Sequence, residues 1–252
     1  MKKRRYDWTP DPPDWRDYKY SAIAPVIPTL PPAIDLRNLC SAVEDQGNLG
    51  SCTANAIVGA MELLEIRDKK QFTDFSRLFL YYNERAIEGT TAEDSGAFIR
   101  DGIKTLVVQG VCHEPTWPYN IAKFAKKPSK TAYQQGLAHQ IKAYRSIRSL
   151  TEMKTCLATQ VPFVFGFSVY ESFESAEVAK SGIVPMPAPS EKLLGGHAVL
   201  AVGYDDAVQR FIVRNSWGPR WGVKGYFTIP YAYLSNSDLA DDFWMIETGE
   251  QI

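Results

Sequence analysis

Residues 46–65 read QGNLGSCTANAIVGAMELLE, a glycine-containing turn that runs directly into an apolar segment. Gly47 and Gly50 predict a tight loop, because glycine adopts backbone conformations that other residues resist. After Cys52, apolar residues recur every three to four positions, which predicts a buried helix with Ser51 as its N-cap. The N-terminus of a helix stabilises a thiolate, the nucleophilic form of cysteine. The stretch therefore fits a reactive cysteine, and it fits equally well a small buried hydrophobic residue.

The composition of the chain excludes several classes of protein. The 252 residues carry a formal net charge of −1, and the scattered basic residues do not form a phosphate-binding surface. No apolar run has the length of a membrane span. We therefore expect a monomer of one large domain or two lobes that binds neither nucleic acid nor membranes and needs no cofactor.

The first residues of the chain bear on where the protein is located in the cell. Residues 1–5 are basic, but Tyr6-Asp7-Trp8 and several prolines follow where a secretory signal has its apolar stretch. We expect a cytoplasmic protein, with secretion by a non-classical route as the alternative.

The cysteines do not indicate a metal site. They lie far apart without a CxxC pair, so a zinc site is not expected and a disulfide scaffold is doubtful. Cys112 and His113 are neighbours, but adjacent side chains in an extended chain point to opposite faces, which argues against a catalytic pair. The four cysteines are Cys40, Cys52, Cys112 and Cys156.

Residues 1–33 form a segment with its own composition. Seven prolines exclude a continuous helix and favour an extended backbone. The segment also holds several aromatic residues, including Trp8 and Trp15, in which disordered tails are poor. We expect it to lie extended on the globular body, either across the cleft that holds the active site, as an inhibitory cover, or as a structural strap elsewhere.

The rest of the chain divides into a helical part and a strand-rich part. Apolar periodicity predicts helices after Cys52, near residues 75–82 and after Asp94. From about residue 141 the pattern changes to β-branched and aromatic runs, which predict strands. This unmixed order predicts an α+β fold of two lobes, a helical lobe over 34–125 and an antiparallel β-rich lobe over 126–252. The predicted strands are 161–169, 195–206, 210–215 and 225–229.

Candidate partners for the cysteine come from the β-rich lobe. A cysteine nucleophile needs a base within hydrogen-bond reach, and the base needs a third group to orient it. His197 begins a buried strand after two glycines, and Asn215 ends the adjacent strand, where its amide can orient the imidazole. Trp217 can shield their hydrogen bond from water. Because a neutral amide suits a resting thiolate–imidazolium pair, we expect Cys52 and His197 to rest as that ion pair.

Three blocks of sequence, in this order, resemble the papain family of cysteine peptidases. The blocks are Gln46-Gly47 with Gly50-Ser51-Cys52, Gly196-His197-Ala198-Val199 with Val202-Gly203-Tyr204, and Asn215-Ser216-Trp217-Gly218 with Trp221-Gly222 and Gly225-Tyr226. The resemblance spans about residues 34–230. It implies the papain-like two-lobed fold with the active site in the cleft between the lobes.

The resemblance also implies roles for individual residues. Cys52 is the nucleophile, His197 the general base and then acid, and Asn215 the residue that orients it. Gln46 donates its amide, with the backbone N–H of Cys52, to an oxyanion hole. Further residues implied to bind substrate are Ser95 and Gly96 (peptide backbone), Val164 and Ala198 (a hydrophobic pocket for the residue two before the scissile bond), and Trp217.

Two positions differ from the usual family pattern. Leu49 stands where the family has a disulfide-bonded cysteine, and Thr53 stands where an aromatic residue follows the nucleophile. Thiolate chemistry needs neither, but the missing disulfide argues against an oxidising compartment. The chain also has only the proline-rich segment where a long helical propeptide is usual, which resembles bacterial members of the family.

The sequence thus predicts a thiol endopeptidase that hydrolyses peptide bonds of peptides or proteins through an acyl-enzyme on Cys52. If the N-terminal segment covers the cleft, the expected enzyme is a zymogen. A thiol acyltransferase or transpeptidase, which passes the same acyl group to an amine, is one alternative. A non-catalytic peptide-binding homologue is the other, and it needs a broken triad.

Overall fold

Seven helices lie along the part of the chain that the computed structural model describes, residues 4–69 and 71–249. The first begins at Cys52, as the loop and the apolar periodicity predict, and three long helices precede the main strands. The bounds are α1 Cys52–Lys69, α2 Arg77–Glu88, α3 Ile99–Val108, α4 Lys130–Gly136, α5 Leu150–Ala158, α6 Ala176–Ser181 and α7 Tyr231–Leu234.

The ends of α2 follow from its capping residues. The Ser76 hydroxyl accepts a hydrogen bond from the backbone N–H of Phe79 at 3.1 Å, so the helix begins at Arg77 and not near Asp74. It ends at Gly89, whose φ of 75° is the left-handed conformation that glycine adopts without strain. Helix α3 buries Ile99, Ile103 and Leu106, as its periodicity predicts.

All strand pairs of the second half are antiparallel and form one sheet. Its order is β2-β7-β3-β4-β5-β6, with β1 paired to β4 outside this path. The four predicted strands are present, and the structure adds three shorter or more polar ones. The bounds are β1 Ala33–Asp35, β2 Ala143–Ser146, β3 Phe163–Tyr170, β4 Leu193–Asp205, β5 Arg210–Arg214, β6 Tyr226–Pro230 and β7 Ala240–Glu247.

Strand β1 comes from the start of the predicted helical lobe but joins the sheet. Ile34 lies opposite Tyr204 of β4, and Asp35 lies opposite Gly203. A hydrogen bond from the Tyr204 hydroxyl to the carbonyl of Pro31, 2.6 Å long, continues this contact into the N-terminal segment. Residues 31–35 thus lie against the β-rich part of the molecule.

Helix α1 packs on β4 and thereby brings the two halves of the candidate site together. The close approach is made at Gly59, where an added Cβ would lie 3.5 Å from Leu200 Cδ2. On the neighbouring pair of strands, β3 and β4, Phe167 lies opposite His197 and Gly166 opposite Ala198. Within the described ranges, no helix has the length and apolar character needed to cross a membrane.

The pairing of β3 with β7 contains a bulge. Val164 lies opposite Trp244 and Gly166 opposite Asp241, so β7 has one residue more than β3 at this point. Asp242 lies inside the bulge with a positive φ of 57°. Bulges bend a strand and redirect side chains, and this one lies beside the candidate site.

Candidate active site

His197 and Asn215 form a buried pair at the ends of neighbouring strands. The pairing of Leu200 with Arg214 sets β4 beside β5, which brings His197 close to the residue that follows β5. A hydrogen bond of 2.8 Å joins His197 Nε2 to Asn215 Oδ1. Asn215 Oδ1 also accepts the backbone N–H of Ser216 at 2.8 Å, so the amide oxygen, and not its nitrogen, faces the imidazole.

Trp217 covers this pair on one side. Its ring lies nearly parallel to that of His197, with 5.0 Å between centroids and 25° between planes. Trp217 is 4% exposed and His197 is fully buried. The indole therefore excludes water from the His197–Asn215 bond, which keeps the imidazole in one orientation.

Cys52 lies at the start of α1 against the same strand. The backbone N–H of Ala198, the residue next to His197, lowers the pKa of the Cys52 thiol against the larger effect of burial. His197 Nδ1, the nitrogen that Asn215 does not use, has no hydrogen-bond partner among the described residues. This nitrogen is the one available to exchange a proton with the thiol.

Gln46 ties the turn before α1 to the strands. Its side-chain oxygen accepts the hydroxyl of Ser216 at 2.5 Å, and its amide nitrogen donates to the carbonyl of Leu49 at 2.9 Å. A primary amide has two N–H groups, so the second remains for a ligand. This arrangement holds the amide rigidly beside Cys52.

Burial of the pair acts against the predicted ion pair. Burial raises the pKa of Cys52 to about 12, and burial lowers the pKa of His197 to about 4 against the opposing effect of Asn215. Both shifts favour the uncharged thiol and the uncharged imidazole while the cleft is covered. The reason is exclusion of water, because a charged form loses its hydration when it is buried.

The water is excluded by the N-terminal segment, which lies in the cleft. The backbone N–H of Trp8 donates to the carbonyl of Gly196 at 3.1 Å, and the N–H of Gly196 donates to the carbonyl of Tyr6 at 3.4 Å. Residues 6–8 thus pair with the residue directly before His197. Residues 6–8 of the segment therefore lie beside the His197–Asn215 pair.

Glycines line the walls of the cleft where the segment passes. A Cβ at Gly96 would overlap the carbonyl of Asp7, and a Cβ at Gly196 would overlap the carbonyl of Trp8. The backbones therefore approach more closely than side chains allow, as a peptide-binding groove requires. The glycines in contact with residues 6–8 are Gly50, Gly96, Gly166, Gly195 and Gly196.

Side chains of the segment complete the cover. The ring of Tyr6 lies edge-on to His197 and Trp217, with centroids 6.4 and 6.1 Å away, and its hydroxyl donates to Glu174. Arg4 lies over the Trp217 ring at 4.6 Å. Arg5 forms an ion pair with Asp94 at 2.9 Å on the opposite wall.

The structure brings together most, but not all, of the predicted binding residues. Gly96 lies in the groove, and Val164 and Ala198 are buried in the strands that form its floor. Ser95 does not reach the groove with its side chain, because its hydroxyl bonds to Thr90 and to the carbonyl of Gly96.

Sequence reasoning missed two acidic residues at the site, Glu174 and Asp242. Glu174 accepts the Tyr6 hydroxyl, and Asp242 accepts the indole N–H of Trp8 at 3.2 Å. Asp242 owes its place to the bulge in β7, which no local sequence signal marks. Glu174 lies in a short 3-10 turn after β3 that has no periodicity to predict it.

Comparisons with known proteins agree with this geometry. The sequence profile of the papain family cysteine proteases matches residues 30–243. The uncharacterized peptidase C1-like protein L477 of Acanthamoeba polyphaga mimivirus is 47% identical over 213 residues, which are 81% of this chain and 68% of that protein. Pro-cathepsin H of Bos taurus is 28% identical over 245 residues, 90% of this chain and 67% of that protein.

Solved structures show the same fold. Xylellain, a cysteine protease from Xylella fastidiosa, superposes with a TM-score of 0.89 at 44% identity, over 99% of both chains. Digestive procathepsin L 3 of Tenebrio molitor shares the fold with a TM-score of 0.72 at 18% identity, over 92% of this chain and 74% of that one. Sequence, fold and site agree: the chain is a cysteine peptidase of the papain family.

Proposed function

We propose that Cys52, His197 and Asn215 hydrolyse peptide bonds, and that residues 4–11 hold the enzyme inactive until they leave the cleft. The observation that carries the proposal is the pairing of Tyr6–Trp8 with Gly196, directly in front of the His197–Asn215 hydrogen bond. One groove thus serves the chemistry and holds an extended peptide.

The proposed reaction uses the groups in two steps. Cys52 Sγ attacks the carbonyl carbon of the substrate while His197 Nδ1 takes the thiol proton, and the C–N bond breaks as His197 gives that proton to the leaving amine. A water molecule then attacks the thioester, His197 takes its proton, and the C–S bond breaks to release a carboxylic acid and restore the thiol. Gln46 and the N–H of Cys52 stabilise the oxyanion in both steps.

Burial and charge support the inhibitory role of the segment. Trp8 is 5% exposed, so it contributes a large apolar surface to the cleft. Arg5 spans from Asp7 of the segment to Asp94 of the helical half. A substrate must displace these contacts and cannot share the groove with them.

The two alternatives predict different products. A thiol acyltransferase forms the same acyl-enzyme and transfers it to an amine, so added amines would divert most of the product from acid to amide. A non-catalytic homologue would bind peptides without forming any acyl-enzyme. All groups of the triad are in place here, which favours catalysis.

The test of the catalytic assignment is labelling with an epoxide inhibitor of papain-like enzymes, followed by peptide mapping. We expect one label per chain on Cys52, and loss of both labelling and peptide cleavage in Cys52→Ala. Labelling of Cys112 or Cys156, or cleavage by the Cys52→Ala protein, would overturn the assignment.

The test of the inhibitory segment compares full-length variants. Replacing Tyr6 and Trp8 together by alanine removes the ring contacts in the cleft, and we expect Cys52 alkylation and kcat/KM for small peptides to rise roughly tenfold or more. The matched control is Trp15→Ala, because Trp15 belongs to the same segment but is 92% exposed. Equal rates in the double variant and the control would show that the segment is a strap.

A further inference from the structure

Two buried asparagine side chains line one crevice behind the catalytic pair. Asn215 is 3% exposed, and Asn55, on the first turn of α1, is 6% exposed. The crevice has a volume of about 10 Å³ and lies between α1 and the strands β4 and β5, with Ala198, Leu200 and Arg214 in its wall. A single buried water molecule needs a volume of about 10–15 Å³. The crevice is therefore the size of one water site beside the residue that orients the imidazole.

The amide of Asn215 brings a donor to this crevice. Its oxygen is engaged, because it accepts hydrogen bonds from His197 and from the backbone N–H of Ser216. Its nitrogen, Nδ2, is buried and has no hydrogen-bond partner within residues 4–69 and 71–249. A buried donor without an acceptor is unfavourable, and folded proteins rarely contain one. The nitrogen of Asn215 therefore calls for an acceptor in the crevice.

The amide of Asn55 brings the opposite group. Its nitrogen donates to the carbonyl of Ser51 at 2.9 Å and to the Ser51 hydroxyl at 3.2 Å. Exchange of the amide oxygen and nitrogen would set the oxygen against that carbonyl, so the orientation of the amide is fixed. Asn55 Oδ1 is buried and, across the described residues, accepts no hydrogen bond. One donor and one acceptor thus share the crevice, each fixed by its other contacts.

A directed chain of hydrogen bonds holds Asn55 against the turn before Cys52. The Tyr119 hydroxyl donates to the carbonyl of Gln46 at 3.0 Å. Because each hydroxyl has one proton, the Ser51 hydroxyl donates to the Tyr119 oxygen at 2.6 Å and accepts from Asn55. The position of Asn55 is therefore fixed relative to the turn that carries Gln46 and ends at the nucleophile.

The other polar side chains at the crevice do not serve these two groups. Arg214 has donors only, and its terminal nitrogens donate to the carbonyls of Ser41 and Ala42 at 3.0 and 2.6 Å. The Ser216 hydroxyl donates to the side-chain oxygen of Gln46 at 2.5 Å. Neither side chain is a recorded partner of the two free amide groups, so a partner for both has to come from solvent.

We propose that a bound water molecule joins Asn215 Nδ2 to Asn55 Oδ1 and makes Asn55 a positioning residue of the triad. The water accepts from the first amide and donates to the second, as buried waters do between polar groups that do not meet directly. The amide of Asn215 is then held at both its oxygen and its nitrogen, which keeps it from rotating away from His197. The inference rests on the role of His197 in the peptide hydrolysis proposed above.

The first test compares Asn55→Leu with Asn83→Leu in the full-length chain that also carries Tyr6→Ala and Trp8→Ala. Asn83 is the matched control: it is buried on α2, donates to the carbonyl four residues earlier at 2.8 Å, and has its oxygen satisfied by a tyrosine hydroxyl. We expect Asn55→Leu to lower kcat roughly 3- to 10-fold, the effect of one neutral hydrogen bond, with KM unchanged. Asn83→Leu should leave kcat within about twofold, although both changes lower the thermal stability.

The pH profile of kcat/KM separates positioning from a loss of stability. The hydrogen bond with Asn215 raises the pKa of His197 against the larger effect of burial, so a loosened amide lowers that pKa. The alkaline limb should therefore move to lower pH in Asn55→Leu and stay in place in Asn83→Leu. In an Asn215→Ala background, Asn55→Leu should have no further effect on either kcat or the limb. Additive losses in the double variant, or an unmoved limb, would overturn the positioning role.

A crystal structure of the full-length protein at high resolution tests the water without turnover and without a variant. We expect a density peak within about 2.7–3.2 Å of both Asn55 Oδ1 and Asn215 Nδ2, and its loss in Asn55→Leu. A direct hydrogen bond between the two amides, or a crevice without ordered density, would overturn this inference even in an active peptidase. Ordered water in a chain that cleaves no peptide would instead count against the proposed hydrolysis.

Discussion

Asn215 acts on His197 through a single oxygen atom. That oxygen accepts from both the imidazole and the backbone N–H of Ser216, so the amide is fixed and transmits its orientation to the ring. We expect Asn215→Ala to lower kcat/KM about 10- to 100-fold. This loss is no larger than the lower part of the rate enhancement that a general base contributes.

Activity assays on three variants test this order of effects. KM of Asn215→Ala should change little, since the amide does not touch substrate, while Cys52→Ala should fall to background. Asn38→Ala, which changes an exposed asparagine outside the triad, serves as the control and should retain full activity. A loss in Asn215→Ala as complete as that of Cys52→Ala would mean that the amide does more than orient the ring.

The neutral state of the covered pair predicts a pH dependence. With the pKa of Cys52 raised to about 12, the covered thiol forms thiolate only in alkaline solution, so alkylation of the full chain should climb steadily to pH 10. Once Tyr6 and Trp8 are alanine, water reaches the pair and the ion pair becomes favourable. Alkylation should then be rapid at pH 6–7. The pH dependence of kcat/KM should be bell-shaped, and the apparent pKa values of its two limbs should belong to the coupled Cys52–His197 pair. Identical pH profiles in the two proteins would contradict this account.

At the scale of single residues, the sequence predicted the catalytic residues better than it predicted the residues that surround Trp8 in the cleft. Cys52 begins α1, Asn215 follows β5, and His197 lies near the start of β4 directly after two glycines, so their positions can be predicted from the sequence. Asp242 lies beside another aspartate in a strand that begins with charges. Its direction depends on a bulge, which arises from pairing with a strand about 80 residues earlier.

At the scale of elements, two aspartates join the N-terminal segment to β7. Asp11 accepts the backbone N–H of Arg100 and the indole N–H of Trp244, and it donates its own N–H to Asp242. Burial raises the pKa of Asp11 above the ordinary carboxyl range, against the opposing charge of Arg100, and burial together with the charge of Asp11 raises the pKa of Asp242. The closed state therefore binds protons more readily than the open state.

The sign of the resulting pH effect follows from linkage. Closure gains stability below the ordinary carboxyl pKa near 4 and loses it progressively as the pH rises through the raised pKa values of the two carboxyls. We expect the segment to be seated more firmly at pH 5 than at pH 8.5, measured by hydrogen exchange of the Trp8 amide. Asp242→Asn should flatten this dependence, and a segment that loosens at acidic pH would contradict it.

The helices and strands differ in how well the sequence predicts them. Helix α3 shows the apolar period of a helix that buries one face, whereas residues 52–65 of α1 are buried on all sides. Strand β2 has only four residues, and β7 begins with Ala240-Asp241-Asp242, which leaves a short apolar run of four residues, 243–246, to mark it. Strand β1 follows a proline-rich stretch, and only its pairing with β4 makes it a strand.

At the scale of the whole molecule, the N-terminal segment acts as a peptide ligand that is covalently attached to the protein whose cleft it occupies. A short tether of this kind gives an effective concentration in the millimolar range. A free peptide of residues 4–20 should therefore inhibit the Tyr6→Ala, Trp8→Ala variant only at micromolar or higher concentration. The control peptide with Trp8→Ala should inhibit more weakly, because it lacks the indole that is buried in the cleft.

Enzyme assays with increasing peptide concentration measure this inhibition, which should be competitive with substrate. Inhibition that raises KM and leaves kcat unchanged agrees with one shared groove. Inhibition that lowers kcat alone would place the peptide elsewhere on the surface, and equal potency of the two peptides would exclude a role for Trp8 in binding.

The distance along the chain between Trp8 and Asp242, 234 positions, has a consequence for biosynthesis. The cover leaves the ribosome before the rest of this domain, and its anchor in β7 is made more than 200 residues later. His197 precedes Asp242 by 45 residues, which a ribosome adds in roughly 2–9 s at about 5–20 residues per second. The catalytic residues and the carboxylate that binds the N-terminal segment are thus synthesised within seconds of each other. A newly made chain has little time with a working and uncovered cleft, which protects the cell's other nascent proteins from it.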